Sequence, residues 1–141
     1  MKKIFLFLSL YFATLTVQAQ TLKINILALR NAKGTIRVAF YNTSESFDNE
    51  KALFVKTISK SDVTKGAISV SYTGIKPGTY GIAILDDENN NQKMDYGLML
   101  PKEGFGFSNY YHTGMSRPKF DSFDFIFGSE DKVIEIKVRY M

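Results

Sequence analysis

The sequence contains no cysteine among its 141 residues. This absence excludes disulfide bonds and cysteine-based zinc sites. It also excludes a lipid anchor of the lipoprotein type, which requires a cysteine at the cleavage site. An exported domain without disulfides must be held together by its core. The 12 Phe and 8 Tyr make such a core plausible, because aromatic side chains bury large apolar surfaces.

Histidine occurs only once, at His112. A lone histidine cannot form a histidine-rich zinc site, and no serine beside it has the context of a catalytic triad. We therefore expect His112 to be a surface or hydrogen-bonded loop residue. A phosphate-binding loop, a nucleophile elbow and an HExxH motif are also absent. These absences favour a non-enzymatic protein.

The amino terminus has the three features of a secretory signal peptide. Lys2 and Lys3 precede an apolar run over residues 4–17, and Ala19 supplies the small residue at the cleavage point. The run is shorter than the roughly 20 apolar residues that a membrane-spanning helix needs. We predict a signal peptide over 1–19, a single domain over 20–141, and a periplasmic or secreted protein that does not span the membrane after cleavage. An uncleaved anchor or a first core strand is the alternative.

Charge gives little indication of a polyanionic partner. Without Lys2 and Lys3, the 18 basic residues fall to 16 against 14 acidic residues, so the net charge falls from +4 to +2. No dense Lys/Arg stripe remains, and nucleic acid is therefore not an expected partner.

Apolar residues alternate with polar ones along most of the chain, which is the period of a β-strand. Helical periodicity is absent, although residues 43–52 could form a short helical turn. The pattern predicts an all-β fold, an antiparallel β-sandwich of about seven strands, immunoglobulin- or transthyretin-like. The first two runs, joined by Asn31–Gly34, predict a β-hairpin. Pro77 and Gly78 predict a type II turn before a strand in which the Tyr80 ring points inward.

A loop rich in Asp and Asn carries the clearest chemical signal. Counted from Asp87, oxygen ligands fall at positions 1, 3, 5, 7 (a backbone carbonyl) and 9: Asp87, Asn89, Asn91, Lys93 and Asp95. Alternating oxygen donors suit calcium, so we predict a calcium site that braces the loop. Two positions depart from the EF-hand pattern, Gln92 instead of Gly and Leu98 instead of a bidentate Glu. Fewer carboxylates predict weak binding, on the order of 10⁻⁴–10⁻³ M. The alternative is a solvated turn without metal.

The segment after this loop is rich in aromatic residues. Exposed rings here could stack on sugars or on a partner chain, which makes four residues candidates for ligand binding: Phe105, Phe107, Tyr110 and Tyr111. The alternative is that these rings fold down and cap an open end of the sandwich.

These observations support three hypotheses. The first is an exported, non-enzymatic binding or envelope accessory module, whose partner is an envelope glycan, another protein or a small molecule. The second is a metal-dependent hydrolase that uses the carboxylates of Asp86, Asp87 and Glu103. The third is a purely structural subunit of an envelope assembly.

Several motifs in one order resemble a family of exported bacterial proteins called domain of unknown function 2141. They are LRNAKG (29–34), RVAFY (37–41), PGTY (77–80), DENNN (87–91), PKEG (101–104), GFSN (106–109) and PKF (118–120). The resemblance covers nearly the whole chain after the leader, and it implies an exported β-sandwich without an established activity. In that family a His commonly precedes the Asp of the loop. This chain has Asp86 there, so no role of that His carries over, and Asp86 could join or rival Asp87 at a cation.

Overall fold

A computed structural model of the chain describes residues 19–141. The predicted signal peptide therefore lies, apart from Ala19, outside the described residues. Between residues 19 and 141 no helix is long and apolar enough to cross a membrane.

The described chain forms two packed sheets, so the predicted all-β sandwich is confirmed. The elements are β1 (Thr21–Leu27), β2 (Thr35–Tyr41), α1 (Ser44–Asp48), β3 (Phe54–Ser59), β4 (Ile68–Thr73), β5 (Gly78–Asp87), β6 (Gly104–Phe107), a 3-10 helix (Phe120–Ser122), β7 (Asp124–Phe127) and β8 (Lys132–Lys137). One sheet has the order β4-β1-β8, and the other has the order β3-β2-β5-β6. Strand β7 pairs with residues 78–81 of β5, and β6 pairs with residues 83–86 of the same strand.

The main core lies between the sheets and follows the predicted alternation. Every second residue of β1 is fully buried, as are Ile82 in β5 and both Ile134 and Ile136 in β8. Each such side chain contributes about 1.5–3 kcal/mol by leaving water. The ring of Tyr80 points inward as predicted and meets the edge of Phe40 at a centroid distance of 6.4 Å.

The predicted hairpin between the first two strands is wrong. β1 pairs with β4 and, in parallel, with β8, whereas β2 pairs with β3 and β5 in the other sheet. The chain leaves β1 through Ala28, which has a φ of 62°, and buries Leu29. The Leu29 amide donates to the Gly66 carbonyl at 2.9 Å. Both edges of β1 are occupied, so the connection crosses between sheets. The β1–β8 pair also makes the sandwich not wholly antiparallel.

Two local predictions around this core have opposite outcomes. The helical turn within 43–52 is confirmed as α1. The Thr43 hydroxyl accepts a bond from the Ser46 amide and caps this helix. The type II turn at Pro77 is wrong. Gly78 is already the first residue of β5 and has no positive φ, whereas Gly74 has a φ of 77°.

A second, smaller core covers part of the outer face of the β3-β2-β5-β6 sheet. Here α1 and the 3-10 helix pack aromatic rings onto the strands. We call this group the outer cluster: Tyr41, Phe47, Phe107, Phe120 and Phe123. A Cβ added to Gly81 would lie 2.6 Å from Phe123 and 2.7 Å from Phe120, so only glycine allows these rings to approach β5.

Candidate functional site

An open groove lies beside the outer cluster, on the uncovered part of the outer face of the β3-β2-β5-β6 sheet. Its floor is a cross-strand row of mostly small residues, in which Ala39 pairs with Val55 on one side and with Ala83 on the other. Ala83 in turn pairs with Phe107 of β6. Because Ala39 and Ala83 are short, the floor sinks between bulkier neighbours. We call this depression, about 720 Å³ in volume, the outer groove.

One end of the outer groove is polar. The next row of the same face places Arg37 beside Leu85, and Leu85 beside Phe105. Arg37 is half-buried, and its guanidinium donates to the Gln92 side-chain oxygen at 3.0 Å. The ion pairs within residues 19–141 are formed by Arg30, Lys60 and Arg117, so Arg37 has no carboxylate partner there.

Residues 96–101, which we call the tip segment, form one wall of the outer groove. The backbone bridges Tyr96 to Pro101, and the Gly97 amide donates to the Leu100 carbonyl at 2.7 Å. This tight turn leaves Leu98 and Met99 at its tip, and Met99 is 87% exposed.

Residues 112–118 form a second wall of the outer groove. The His112 ring contacts the Ser116 carbonyl at 2.5 Å, as expected for a hydrogen-bonded loop residue. Arg139 donates to the carbonyls of His112 and Gly114, both at 2.8 Å. Arg117 pairs with Glu50 at 2.7 Å. This wall is therefore held to the sandwich by arginines, while its Met115 is 75% exposed.

Exposed apolar side chains are concentrated around the outer groove. Ten large hydrophobic residues of the described chain are exposed, and five of these line the groove: Val55, Tyr96, Met99, Leu100 and Met115. Scattered exposed hydrophobics are ordinary, whereas a contiguous group around a concavity is a common feature of binding sites.

The Asp/Asn loop, residues 87–95, lies immediately before the tip segment. Asp87 is fully buried, and its two carboxylate oxygens accept bonds from the amides of Asn91 (3.0 Å) and Gln92 (2.8 Å). The side-chain oxygen of Asn91 accepts a bond from the Lys93 amide at 2.9 Å. Asn91 also donates to Asp95 at 2.9 Å. All five predicted calcium ligands thus lie in one compact turn.

Gln92 adopts a left-handed backbone, with a φ of 65°. This is the position at which the EF-hand uses an invariant glycine for a sharp turn. The departure from glycine noted in the sequence therefore does not prevent the sharp turn. Even so, no group of three or more His, Asp or Glu side chains among residues 19–141 is arranged to hold a metal ion.

Glu103, a candidate catalytic carboxylate in the sequence, lies beside the Asp/Asn loop. The pairing of Asp86 with Gly104 brings Glu103 opposite Asp87 across the β5–β6 ladder. Its carboxylate accepts bonds from the amides of Glu88 (3.0 Å) and Asp95 (3.2 Å). Burial raises the pKa of Glu103, the two amides lower it, and the nearby charges of Asp95 and Asp87 raise it further. Only the strand register, which the sequence does not give, reveals this neighbour.

Asp86 lies on the other side of β5, facing the main core. Its carboxylate pairs with Lys60 at 2.5 Å and accepts a bond from the Tyr140 hydroxyl at 2.5 Å. Asp86 and Lys60 are both fully buried. Burial first, and then this bond to Asp86, raise the pKa of Tyr140 well above its ordinary value. The carboxylates of Asp86 and Asp87 therefore point to opposite faces of the sheet and do not converge.

The four predicted ligand-binding aromatics occupy different environments. Phe107 is buried in the outer cluster, and Phe105 is half-buried in the floor of the outer groove. Tyr110 packs against the same cluster. Tyr111 is 47% exposed, and the Lys137 ammonium lies 5.0 Å from its ring centroid. Sequence reasoning missed the small residues of the floor, because a short side chain gives no signal of its own.

Comparison with known proteins yields one match. The model of a family described as an uncharacterized protein conserved in bacteria (DUF2141) matches residues 24–135, which is most of the chain. Neither the curated proteins nor the solved structures contain a match.

Proposed function

The chain belongs to the DUF2141 family of uncharacterized bacterial proteins, a membership that brings no activity with it, and we propose that it is an exported, non-enzymatic binding module. The ligand site is the outer groove, and the Asp/Asn loop braces one of its walls. The observation that carries this proposal is the open depression of about 720 Å³ over Ala39 and Ala83, bordered by exposed apolar side chains.

The size and lining of the outer groove support a ligand with an apolar body. Small-molecule sites are concave, mostly apolar and roughly 300–1,000 Å³ in volume. Leaving Met99, Met115 and Leu100 in water forgoes about 25 cal/mol for each Å² of apolar surface. A ligand lying between the two walls would recover part of that free energy. An envelope lipid or an apolar segment of an envelope protein has the required chemistry.

The groove can be tested by filling its floor. We expect the uncharged fluorescent probe N-phenyl-1-naphthylamine to bind the wild-type protein saturably. Ala39→Leu and Ala83→Leu should each weaken binding about tenfold or more, because the added side chain occupies the ligand's space. Ser71→Leu, exposed on the outer face of the other sheet, is the matched control and should bind as the wild type does. Thermal melts establish that each variant is folded. Unchanged binding by both floor variants would remove the groove as the site.

A calcium ion in the Asp/Asn loop is the second part of the proposal. The spacing of Asp87, Asn89, Asn91 and Asp95 and the left-handed backbone at position 6 support it. Glu103 lies close enough to Asp87 and Asp95 for their charges to raise its pKa. A cation bound in the loop would offset this repulsion.

Calorimetry with calcium tests this part. We expect a dissociation constant on the order of 10⁻⁴–10⁻³ M and a higher melting temperature in several millimolar calcium. Asp95→Asn and Glu103→Gln should each weaken calcium binding, whereas Asp121→Asn, an exposed aspartate without a hydrogen-bonded partner, should not. Identical melting curves with calcium and with chelator would leave the loop as a metal-free turn.

Export is supported by Lys2, Lys3 and the apolar run that ends before Ala19. Cleavage after Ala19 would leave β1, which begins at Thr21, intact. Amino-terminal sequencing of protein recovered from the cell envelope should begin at Gln20. A first residue of Met1 would contradict the proposed cleavage.

Tyr111 favours a glycan as a second candidate ligand. Its ring is exposed and lies beside Asn109, Glu135 and Lys137, a surface that combines an aromatic face with hydrogen-bonding groups. Sugars stack on such rings. Tyr111→Ala should abolish a hit on a glycan array without changing the melting temperature, and an unchanged hit would discard this candidate. The hydrolase hypothesis is less favoured, because Asp86 is occupied by Lys60 and Tyr140.

A further inference from the structure

We propose that the ligand of the outer groove carries an anionic head group, a carboxylate or a phosphate monoester, which pairs with Arg37 while its apolar chain lies along the floor. This inference rests on the proposed function, because it names the chemical class that the same groove takes.

The state of Arg37 is the first argument. A guanidinium has five N–H donors and stays charged at any physiological pH. Arg37 is half-buried, yet within residues 19–141 its side chain has a single hydrogen-bond acceptor, the neutral amide oxygen of Gln92. A partly buried charge without a counter-ion has lost part of its hydration. A bidentate anion such as carboxylate or phosphate satisfies both the charge and the fork of donors.

The charge balance of the outer groove is the second argument. The charged side chains of its lining are the cations Arg37, Lys93 and Arg117 and one carboxylate, Glu50. Glu50 is already paired with Arg117 at 2.7 Å, at the end of the groove nearest α1. At the opposite end, Arg37 and Lys93 form no ion pair with a carboxylate of residues 19–141. The head group is expected there and not beside Arg117.

The direction of the floor is the third argument. Arg37, Ala39 and Tyr41 follow one another on the same face of β2, because side chains alternate along a strand. From Arg37 to Tyr41 the strand extends for about 13 Å. An anion held by Arg37 would thus place a medium-length alkyl chain over Ala39 and toward the rings of Tyr41 and Phe47.

Three ligands that share a chain but differ in the head group test this inference. Dodecanoate, dodecyl phosphate and dodecanol are each used to displace N-phenyl-1-naphthylamine at a pH at which both acids are ionised. In the wild-type protein we expect at least one acid to bind about tenfold or more tightly than the alcohol, the effect of charge-assisted hydrogen bonds at a partly exposed site. The acid that binds more tightly identifies the head group.

Variants at Arg37 isolate the head group from the chain. Arg37→Gln should abolish the preference for the acid by weakening acid binding much more than dodecanol binding, and Arg37→Lys should retain part of the preference. Lys23→Gln removes the same charge from the other sheet and should behave as the wild type. Equal affinity for acid and alcohol in the wild type, or a preference that survives Arg37→Gln, overturns the inference and leaves the groove in place. Dodecanol binding that Ala83→Leu does not weaken instead overturns the proposed function.

Discussion

The ion pair between Lys60 and Asp86 provides the sharpest prediction about stability. Lys60 follows β3, Asp86 lies near the end of β5, and both side chains are fully buried at the edge of the main core. The Lys60 ammonium also contacts the Asn31 side-chain oxygen at 3.2 Å, and Asp86 accepts the Tyr140 hydroxyl. Each charge therefore keeps one neutral partner when the other charge is removed.

The magnitude follows from the burial. Removing one partner of a buried pair leaves an uncompensated charge and costs about 3–5 kcal/mol. We expect Lys60→Met to lower the free energy of unfolding by this amount. The remaining partner of Asp86 is the Tyr140 hydroxyl, which carries no charge and cannot neutralise the carboxylate. For a domain of this size the loss corresponds to a melting temperature lower by roughly 10–20 °C. The double variant with Asp86→Leu buries no charge and should lie within about 2 kcal/mol of the wild type.

Urea unfolding followed by circular dichroism measures all four corners of this cycle. The double variant should be more stable than either single variant, which gives a coupling free energy of several kcal/mol. Lys51→Met, at an exposed lysine, controls for the apolar substitution itself. If Lys60→Met costs less than about 1 kcal/mol, the lysine reaches water in solution and the reasoning from burial fails.

Three further predictions concern the backbone and pH. Gly34→Ala should lower the free energy of unfolding by about 3 kcal/mol or more, because φ is 72° and the backbone at the end of β5 blocks the new Cβ. Gly74 has a φ of 77° but open space around it, so Gly74→Ala should lower the free energy of unfolding, measured in urea, by only about 1 kcal/mol. Gly81→Ala should lower stability by about 1–3 kcal/mol through overpacking; an unchanged unfolding midpoint would show that the rings can move. The hydrogen bond from Arg30 lowers the pKa of Glu88 below 4.5. Its stabilisation is therefore present above pH 4.5 and is lost as pH falls through the lowered pKa, so the stability difference between wild type and Arg30→Gln should shrink in acid.

Strand β6 is a part of the fold that the sequence does not predict. Its four residues, Gly104–Phe107, alternate glycine with phenylalanine, and the sequence places them in the aromatic-rich segment and not in a strand. Both glycines lie where β6 passes close to the carboxy-terminal residues of the chain. A Cβ on Gly106 would lie 2.6 Å from Ile136, and one on Gly104 would lie 2.5 Å from Val138. Glycine inside a strand indicates close backbone approach, but the sequence does not say to what.

Pairing partners were harder to predict than strands. The period-2 pattern located β1 and β2 correctly, since it reports burial on one face. It then suggested a hairpin, although β1 pairs with β4 and β8, whose residues lie far along the chain. The Asp/Asn loop, in contrast, is local, and the hydrogen bonds of Asp87, Asn91 and Asp95 lie within one turn. The sequence therefore predicts local structure from neighbouring residues, but it does not predict contacts between distant residues.

The Asp/Asn loop and the outer groove share their connecting residues, and this links the two parts of the proposed function. Gln92 belongs to the loop and contacts Arg37 in the groove. The Lys102 amide, just after the tip segment, donates to the Asp95 carbonyl at 2.8 Å. A cation that orders the loop would therefore also fix one wall and the polar end of the groove. Ordering by one ligand lowers the entropic cost of binding the other, so calcium and an anionic ligand should raise each other's affinity by the same factor.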